Sequence, residues 1–300
     1  MSAAPQLVLP SGRPPRQLRC GSVAELIAAQ AVLALLRELA AWPKPGLVSH
    51  VDRGSHTDMD AAMLLASAET LRPFFAELAR AGGDGADMDC LRAIGFQAER
   101  AMLAATGGVN THRGAIFGLG LLCAAAGTVA ELPSQGVAVA PVRLGDIVMR
   151  RWAAEIGRGP IPLFSHGAAV LRRYGVGGAR AEAAGGFRSV YEVGWPALRE
   201  GRSLQPDDPD APPVQACFAL IAVVCDTNLL HRGGADGMRF ASEAAASFLS
   251  QGGVGSPDWR ARAAAAHTAF VARRLSPGGC ADLLAMTFFV DALESGVALP

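Results

Sequence analysis

Apolar residues follow a helical period along most of the chain. The segment from Ser22 to Ala41 shows this first, and Ser22 with Glu25 three residues later matches a capping box. Similar patterns occupy residues 60–80, 87–105, 114–130, 145–158, 214–230 and 258–274, and one more begins after 276. No stretch alternates with the period of two that a half-buried strand shows. The pattern predicts an all-α fold, a single large helical bundle.

Composition is compatible with one domain. Of the 300 residues 51% are hydrophobic and 18% charged, enough for one large core. Residues 1–20 contain Arg-Pro pairs and no apolar secretion signal, so we expect a disordered tail followed by a single helical domain over 21–300. The longest uncharged runs, Gly114–Ala130 and Ala211–Cys225, fall short of the ~20 apolar residues of a membrane span. They are predicted to be buried core helices.

Charge and cysteine usage narrow the function classes. The 27 basic and 27 acidic residues give a formal net charge of 0, which argues against nucleic-acid or membrane binding through a general electrostatic field. The six cysteines show no CxxC spacing. They indicate a reduced, cytoplasmic protein without a disulfide framework or a zinc site.

The stretch Thr106–Gly120, TGGVNTHRGAIFGLG, places four hydrogen-bonding side chains on a turn before a buried helix. These are the side chains of residues 110–113. Thr111 or Asn110 can cap the helix that begins near Gly114, and the free N–H groups of a helix start attract anions. The alternative is a capped turn whose polar residues only satisfy the backbone.

Four further polar clusters also lie at helix ends. Lys44 stands between two prolines, and Asp226 closes an almost wholly apolar run, where an aspartate must be paired, hydrogen-bonded or metal-bound. Residues 52–60 are dense in His and Asp, and Ser276-Pro277-Gly278-Gly279 matches a helix start with Ser as N-cap. Gathered at one end of a bundle, these motifs would supply cations and helix termini for phosphates and carboxylates for a divalent metal. Neither GxGxxG nor GxxxxGK[ST] is present, so a nucleotide would not use a Rossmann or P-loop fold.

Five segments closely resemble the triphosphoribosyl-dephospho-CoA synthases, which are all-helical enzymes. The segments are PKPGLV, GSHTDMD, AERAMLAATGGVNTHRGAIFGLGLLCAAAG, CDTNLLHRGG and SPGGCADLLA, and the resemblance extends from about Leu26 to Phe289. Arg113 stands where citrate-lyase-type members usually carry a lysine, which keeps the charge but changes its geometry. The stretch RGSHTDMDAAMLLASAETLRPFF looks more like the malonate-decarboxylase branch.

The resemblance implies that ATP transfers its triphosphoribosyl group to the 2′-hydroxyl of 3′-dephospho-CoA and releases adenine. The product would be the prosthetic-group precursor for an acyl carrier protein, and a downstream carrier-protein transferase would be a partner. The oligomeric state, including a homo-oligomer, is left open. The reaction needs a base that takes the hydroxyl proton, a donor that protonates the leaving adenine and cations that hold the triphosphate.

We expect Mg²⁺ as cofactor, with Asp58, Asp60 and Asp226 as its ligands. The catalytic candidates are His56, Asp58, His112 and Asp226. The expected substrate-binding residues are Lys44, Asn110, Thr111, Arg113, Gly114, Asn228, Arg232, Ser276, Gly278 and Gly279.

Two rival functions remain open at this stage. A metal-dependent nucleoside or ADP-ribose glycohydrolase shares the oxocarbenium step but uses water as acceptor. The second rival is a non-catalytic helical scaffold of a carrier-protein complex. Such a scaffold would tolerate alanine substitutions in the polar clusters, and a scaffold role does not explain an aspartate at position 226, at the end of an apolar run.

Overall fold

The computed structural model describes residues 17–131, 142–159, 170 and 172–295, and all regular structure in these ranges is helical. The all-α prediction is therefore confirmed. A π-helix lies at Val190–Gly194 and a short 3₁₀-helix at Gly253–Gly255. The α-helices, in chain order, are α1 (Gln17–Ala40), α2 (Ala61–Gly83), α3 (Met88–Ala105), α4 (Arg113–Ala130), α5 (Leu144–Arg158), α6 (Gly178–Ala184), α7 (Trp195–Leu204), α8 (Ala211–Val223), α9 (Thr227–Ser250), α10 (Trp259–Ala272) and α11 (Gly278–Glu294).

Two helix starts agree with the sequence patterns and one does not. Asp60 caps α2 by accepting a hydrogen bond from the N–H of Met63, and Asp87 caps α3 through the N–H of Cys90. The predicted capping box at Ser22 is wrong, because α1 begins at Gln17 and Ser22 lies inside it. Residues 17–19 are good helix formers, so nothing stops the helix from starting earlier. The rest of the predicted tail, residues 1–16, lies outside the described residues.

The core is built around α4, which packs against α1, α2, α3, α5 and α11. Its contact with α2 is close, because a Cβ on Gly127 would lie 1.8 Å from the carbonyl oxygen of Ala79. Glycine at this position lets the two backbones approach each other. On the other side of the core α11 packs against α1 and α8. One continuous cluster of buried apolar residues joins these helices, from Ala24 in α1 to Val290 in α11.

The two long uncharged runs form core helices, as predicted. Within the described chain α4 alone is long and apolar enough by itself to cross a membrane, and 67% of it is buried inside the fold. The pair α8 and α9 meets the same criterion only if taken together, and it is bent by 60°. Val214, Phe218 and Ile221 of α8 are fully buried. Between α7, which ends at Leu204, and α8, which begins at Ala211, residues 205–210 are not helical.

Candidate active site

The helices α4, α9 and α11 all begin at the wall of one large cavity. Asp226, which is only 1% exposed, joins two of these helix starts. Its Oδ1 accepts hydrogen bonds from the N–H groups of Asn228 (2.7 Å) and Leu229 (3.2 Å) at the start of α9. Its Oδ2 accepts one from the N–H of Cys280 (2.8 Å) in the first turn of α11. Burial raises the pKa of Asp226, and these backbone N–H groups oppose that shift.

Asp282 links α11 to the third helix start. Its carboxylate accepts a hydrogen bond from the N–H of Ala115 in the first turn of α4. The carboxylate lies so close to α4 that a Cβ on Gly114 would meet Asp282 Oδ2 at 2.0 Å, which explains the glycine of the NTHRG motif. Burial raises the pKa of Asp282 well above its usual value, and the negative charges of Asp226 and Glu38 raise it further. The buried carboxylate of Asp226 and the half-buried carboxylate of Asp282 thus both line the cavity, near enough for their charges to interact.

The GSHTDMD segment contributes His56 and Asp58 to the same wall. His56 Nε2 lies 2.9 Å from Ser276 Oγ, and His56 Nδ1 lies 3.3 Å from Asp58 Oδ1. Arg232 places its Nη2 3.2 Å from His56 Nδ1, while its Nη1 donates to the carbonyl oxygens of Ser55 and Arg274. Burial, followed by the charge of Arg232, lowers the pKa of His56 below 6.5. His56 is therefore a neutral imidazole at neutral pH.

One expected helix cap is wrong, and one helix contains a kink. Ser276 does not cap α11, because Pro277 occupies the N-cap position, and the Ser276 hydroxyl bonds His56 instead. Beyond Arg232 the helix α9 is kinked at Gly234, where φ is 62°. A positive φ favours glycine, which accounts for one glycine of the TNLLHRGG motif.

The N-cap residue of α4 is His112 and not Asn110 or Thr111, and it makes no side-chain cap hydrogen bond. Asn110 Oδ1 nevertheless accepts a hydrogen bond from the N–H of Arg113, the first residue of the helix (3.1 Å). His112 is buried, and its Nδ1 lies 2.7 Å from Ser67 Oγ, to which Thr111 also donates. Burial lowers the pKa of His112 to about 4, so its imidazole is neutral and cannot supply a proton as imidazolium at neutral pH. Arg113 pairs with Glu99 of α3, which places Glu99 at the cavity as well.

Lys44 and Asp60 do not lie on the cavity wall, unlike the other predicted site residues. The Lys44 side chain is fully buried, and its ammonium donates to the carboxylate and carbonyl oxygens of Glu38. The carbonyl oxygen of Lys44 is in turn 2.7 Å from His267 Nδ1. Asp60 caps α2 and pairs with Arg53 at 3.0 Å. The structure thus gives both residues partners inside the protein.

The predicted metal-ligand set is not assembled. Within the described ranges, no three His, Cys, Asp or Glu side chains converge in a way that could hold a metal ion. Asp60 is not part of the wall of the cavity that Asp58 and Asp226 line. The carboxylate that sequence reasoning left out of the set is Asp282, although it follows the SPGG motif by one turn. This spacing from the motif is the sequence signal that could have identified Asp282.

The cavity has a volume of about 1270 Å³, above the ~300–1,000 Å³ of an ordinary small-molecule site. It thus has room for two nucleotide-sized ligands. Several charged lining residues have no motif around them in the sequence, among them Glu38, Arg92, Arg180 and Arg188.

Fold and site together define an all-helical enzyme with a large cavity suited to phosphorylated substrates. The family model of ATP:dephospho-CoA triphosphoribosyl transferase matches residues 24–299. The chain belongs to this family and is a transferase. No solved structure matches it.

Named relatives cover nearly the whole chain. A protein of Pseudomonas fluorescens, named "Probable 2-(5''-triphosphoribosyl)-3'-dephosphocoenzyme-A synthase", is 41% identical over 93% of this chain and 94% of its own length. The 2-(5''-triphosphoribosyl)-3'-dephosphocoenzyme-A synthase of Klebsiella pneumoniae is 38% identical over 92% of this chain and 94% of its own length. The protein of the same name from Pectobacterium atrosepticum is 38% identical over 86% and 85%.

Proposed function

We propose that the cavity transfers the triphosphoribosyl group of ATP to the 2′-hydroxyl of 3′-dephospho-CoA and releases adenine. The observation that carries this proposal is the meeting of three helix starts and the carboxylates of Asp226 and Asp282 at one cavity large enough for both substrates. The N–C1′ bond of ATP breaks, C1′ acquires positive charge, and the acceptor oxygen forms the new bond to C1′. The hydroxyl proton leaves for a base, and the departing adenine takes up a proton.

The triphosphate would bind between Arg113, Arg232 and the first turn of α11. Helix starts attract anions because their first N–H groups have no intrahelical partner. The N–H of Cys280 already donates to Asp226, so the N–H groups of Gly278 and Gly279 are the ones that face a ligand. Asn228 and Ser276 supply neutral donors at the same place. These contacts hold the triphosphate without attacking it.

His56 is the residue best placed to act as the base. Its lowered pKa keeps it neutral, which is the form that accepts a proton, and Asp58 stabilises the imidazolium that results. We expect His56→Gln to lower kcat at least 100-fold while the Kd for ATP changes less than threefold. The matched control is His50→Gln, because His50 is exposed and is not part of the cavity lining. Normal turnover by the His56 variant would assign the base elsewhere.

We also propose Mg²⁺ as cofactor, held by Asp226 and Asp282 in place of the set expected from sequence. The donor chemistry fits: the neighbouring carboxylates of Asp226 and Asp282 repel each other, and Mg²⁺ takes one or two carboxylates together with phosphate oxygens and water. When bound, Mg²⁺ would neutralise and orient the triphosphate. EDTA should abolish activity and Mg²⁺ or Mn²⁺ restore it. Mg²⁺ should also raise the Tm of the parent with ATP present, and Asp282→Asn should lose that rise.

The direct test of the reaction is incubation of the pure protein with ATP and dephospho-CoA, with adenine and the coupled product detected by mass. Adenine release should require dephospho-CoA, and CoA should be a poor acceptor because its 3′-phosphate adds bulk and charge beside the attacking 2′-hydroxyl. Release of adenine without an acceptor would indicate a glycohydrolase instead. Equal turnover with CoA would contradict the proposed acceptor.

The fate of the product is part of the proposal. The stretch around GSHTDMD supports the malonate-decarboxylase branch, in which the product becomes the prosthetic group of an acyl carrier protein through a downstream transferase. Acceptance of the product by a malonate-decarboxylase carrier protein and its transferase, compared with the citrate-lyase pair, would decide between the branches.

A further inference from the structure

One aromatic ring lies exposed on the cavity wall. Phe96 of α3 is 54% exposed, and every other Phe, Tyr and Trp side chain in the described part of the chain is buried or half-buried. Gly95 beside it also lines the cavity, and a Cβ added there would meet nothing within 4 Å. Exposing a phenylalanine to water is unfavourable. A flat ligand can therefore cover this ring without displacing any protein group.

Two arginines flank the same end of the cavity. Arg92 precedes Phe96 by one turn of α3, and Arg180 belongs to α6. Their Nη2 atoms converge beside Gly159, where an added Cβ would lie 2.7 Å from that of Arg92 and 3.2 Å from that of Arg180. Arg180 Nη2 donates to the carbonyl oxygens of Ile156 and Gly159 (2.8 Å to Gly159). Arg92 Nη2 donates to the carbonyl oxygen of Glu155 at 3.4 Å, and Arg92 Nη1 pairs with Asp89. These contacts hold the two guanidinium groups side by side at the cavity, and two adjacent guanidinium groups match the charge of a diphosphate.

The position of this end relative to the carboxylates is given by α3. Phe96 lies one turn before Glu99, which pairs with Arg113 at the start of α4. Asp282 bonds the first turn of that same helix. Residues 92 to 99 span about 10 Å along α3 at 1.5 Å per residue. Phe96 and Arg92 therefore lie about 5 and 10 Å along α3 from the residue that pairs with the start of α4.

We propose that Phe96, Arg92 and Arg180 form the subsite for the acceptor nucleotide, with the adenine of dephospho-CoA stacked on Phe96 and its diphosphate bound by the two arginines. This inference rests on the proposed function, which places the ATP triphosphate at the helix starts and leaves this end for the second substrate. The acceptor is the substrate with a diphosphate, which two arginine side chains match better than they match a triphosphate. Phe96 is then a specificity-determining residue for the acceptor.

The test is calorimetric binding of dephospho-CoA and of ATP to Phe96→Ala. Stacking of a base on an aromatic ring is worth about 1–3 kcal/mol, so we expect the Kd for dephospho-CoA to rise about tenfold while that for ATP stays within twofold. The matched control is Leu65→Ala, because Leu65 is 46% exposed and is not part of the cavity lining. It should change neither constant. Phe96→Trp should keep binding, and dephospho-CoA should quench its added fluorescence.

Three outcomes overturn the subsite. These are an unchanged Kd for dephospho-CoA in Phe96→Ala, a rise in the Kd for ATP instead, or no quenching in Phe96→Trp. Binding is measured without turnover, so the two hypotheses can fail separately. A parent protein that binds dephospho-CoA through Phe96 but releases adenine without it would overturn the proposed reaction and keep the subsite. A parent that does not bind dephospho-CoA overturns both.

Discussion

The connection between α1 and α2 and the start of α9 carry similar residue types but use them differently. In the connection, Lys44 pairs with Glu38, and Asp60 pairs with Arg53 and caps α2. At the start of α9, Asp226 and Arg232 both reach the cavity. The charged groups in the first region mostly hold the protein together, whereas those in the second line the cavity. Position at a helix end is thus not enough to mark a functional residue.

The difference comes from what packs against each region. The connection lies against α10 and the segment before α11, where His267 contacts the Lys44 carbonyl and Ser55 donates to the carbonyl of Leu275 at 2.6 Å. These contacts turn Lys44 inward. At α9 the facing element is the start of another helix, so Asp226 satisfies N–H groups on both sides and remains at the cavity edge.

The largest expected effect is on stability, from Lys44→Ala. From the sequence alone we would expect Lys44→Ala to lose ATP turnover and to fold normally. The structure predicts a loss of stability instead, because the substitution leaves the buried Glu38 carboxylate without its cation. Removing one member of a buried ion pair costs about 3–5 kcal/mol. We expect urea unfolding to show a loss of this size, and Lys44→Met combined with Glu38→Gln to recover part of it. A Lys44→Ala variant with parental stability and a raised KM for ATP would return Lys44 to the phosphate site.

Asp226→Asn should affect both stability and activity. The new amide presents a donor to the N–H of Cys280, so one buried N–H loses its acceptor, at a cost of about 1–3 kcal/mol. If Asp226 also holds the metal, adenine release falls at least 100-fold and the half-saturating Mg²⁺ concentration rises. Unfolding by urea and a Mg²⁺ titration separate the two roles. A loss of stability with unchanged Mg²⁺ dependence would make Asp226 only a helix cap.

Sequence reasoning predicted the helices well because each has a clear apolar period, and it found most of the cavity because the motifs at helix ends are unusual. It could not separate Lys44 from Arg232, since both follow a helix terminus and only tertiary packing buries one of them. It also missed Arg92 and Arg180, which have no motif around them. Both side chains donate to carbonyl oxygens at the end of α5, and only tertiary packing brings them together at the cavity.

The third effect is a pH dependence of stability caused by His112. Its pKa is about 4 in the folded protein and about 6.5 when unfolded, so the unfolded state binds the proton more tightly. Stability is complete above pH 6.5 and declines as the pH falls toward 4, by about 2 kcal/mol at pH 5 and about 3 kcal/mol in full. Urea unfolding at pH 7 and pH 5 should show the decline, and His112→Gln should lack it. An equal decline in both proteins would assign it to other groups.

The smallest effect is expected from Asp60→Asn, the counterpart of Asp226→Asn in the other region. Asparagine is as good an N-cap as aspartate, so the hydrogen bond from the N–H of Met63 persists. The ion pair with Arg53 is lost, but both side chains are well exposed (38% and 59%), and such pairs contribute about 0–1 kcal/mol.

We therefore expect Asp60→Asn to leave turnover and the half-saturating Mg²⁺ concentration within twofold of the parent, and to lower stability only slightly. The measurement is the same Mg²⁺ titration used for Asp226→Asn, run side by side. Because both substitutions remove one charge from a helix-capping aspartate, a different outcome for the two isolates the effect of facing the cavity. A shift in Mg²⁺ dependence for Asp60→Asn would mean that the connection moves toward the cavity when substrate binds, and it would restore Asp60 to the ligand set.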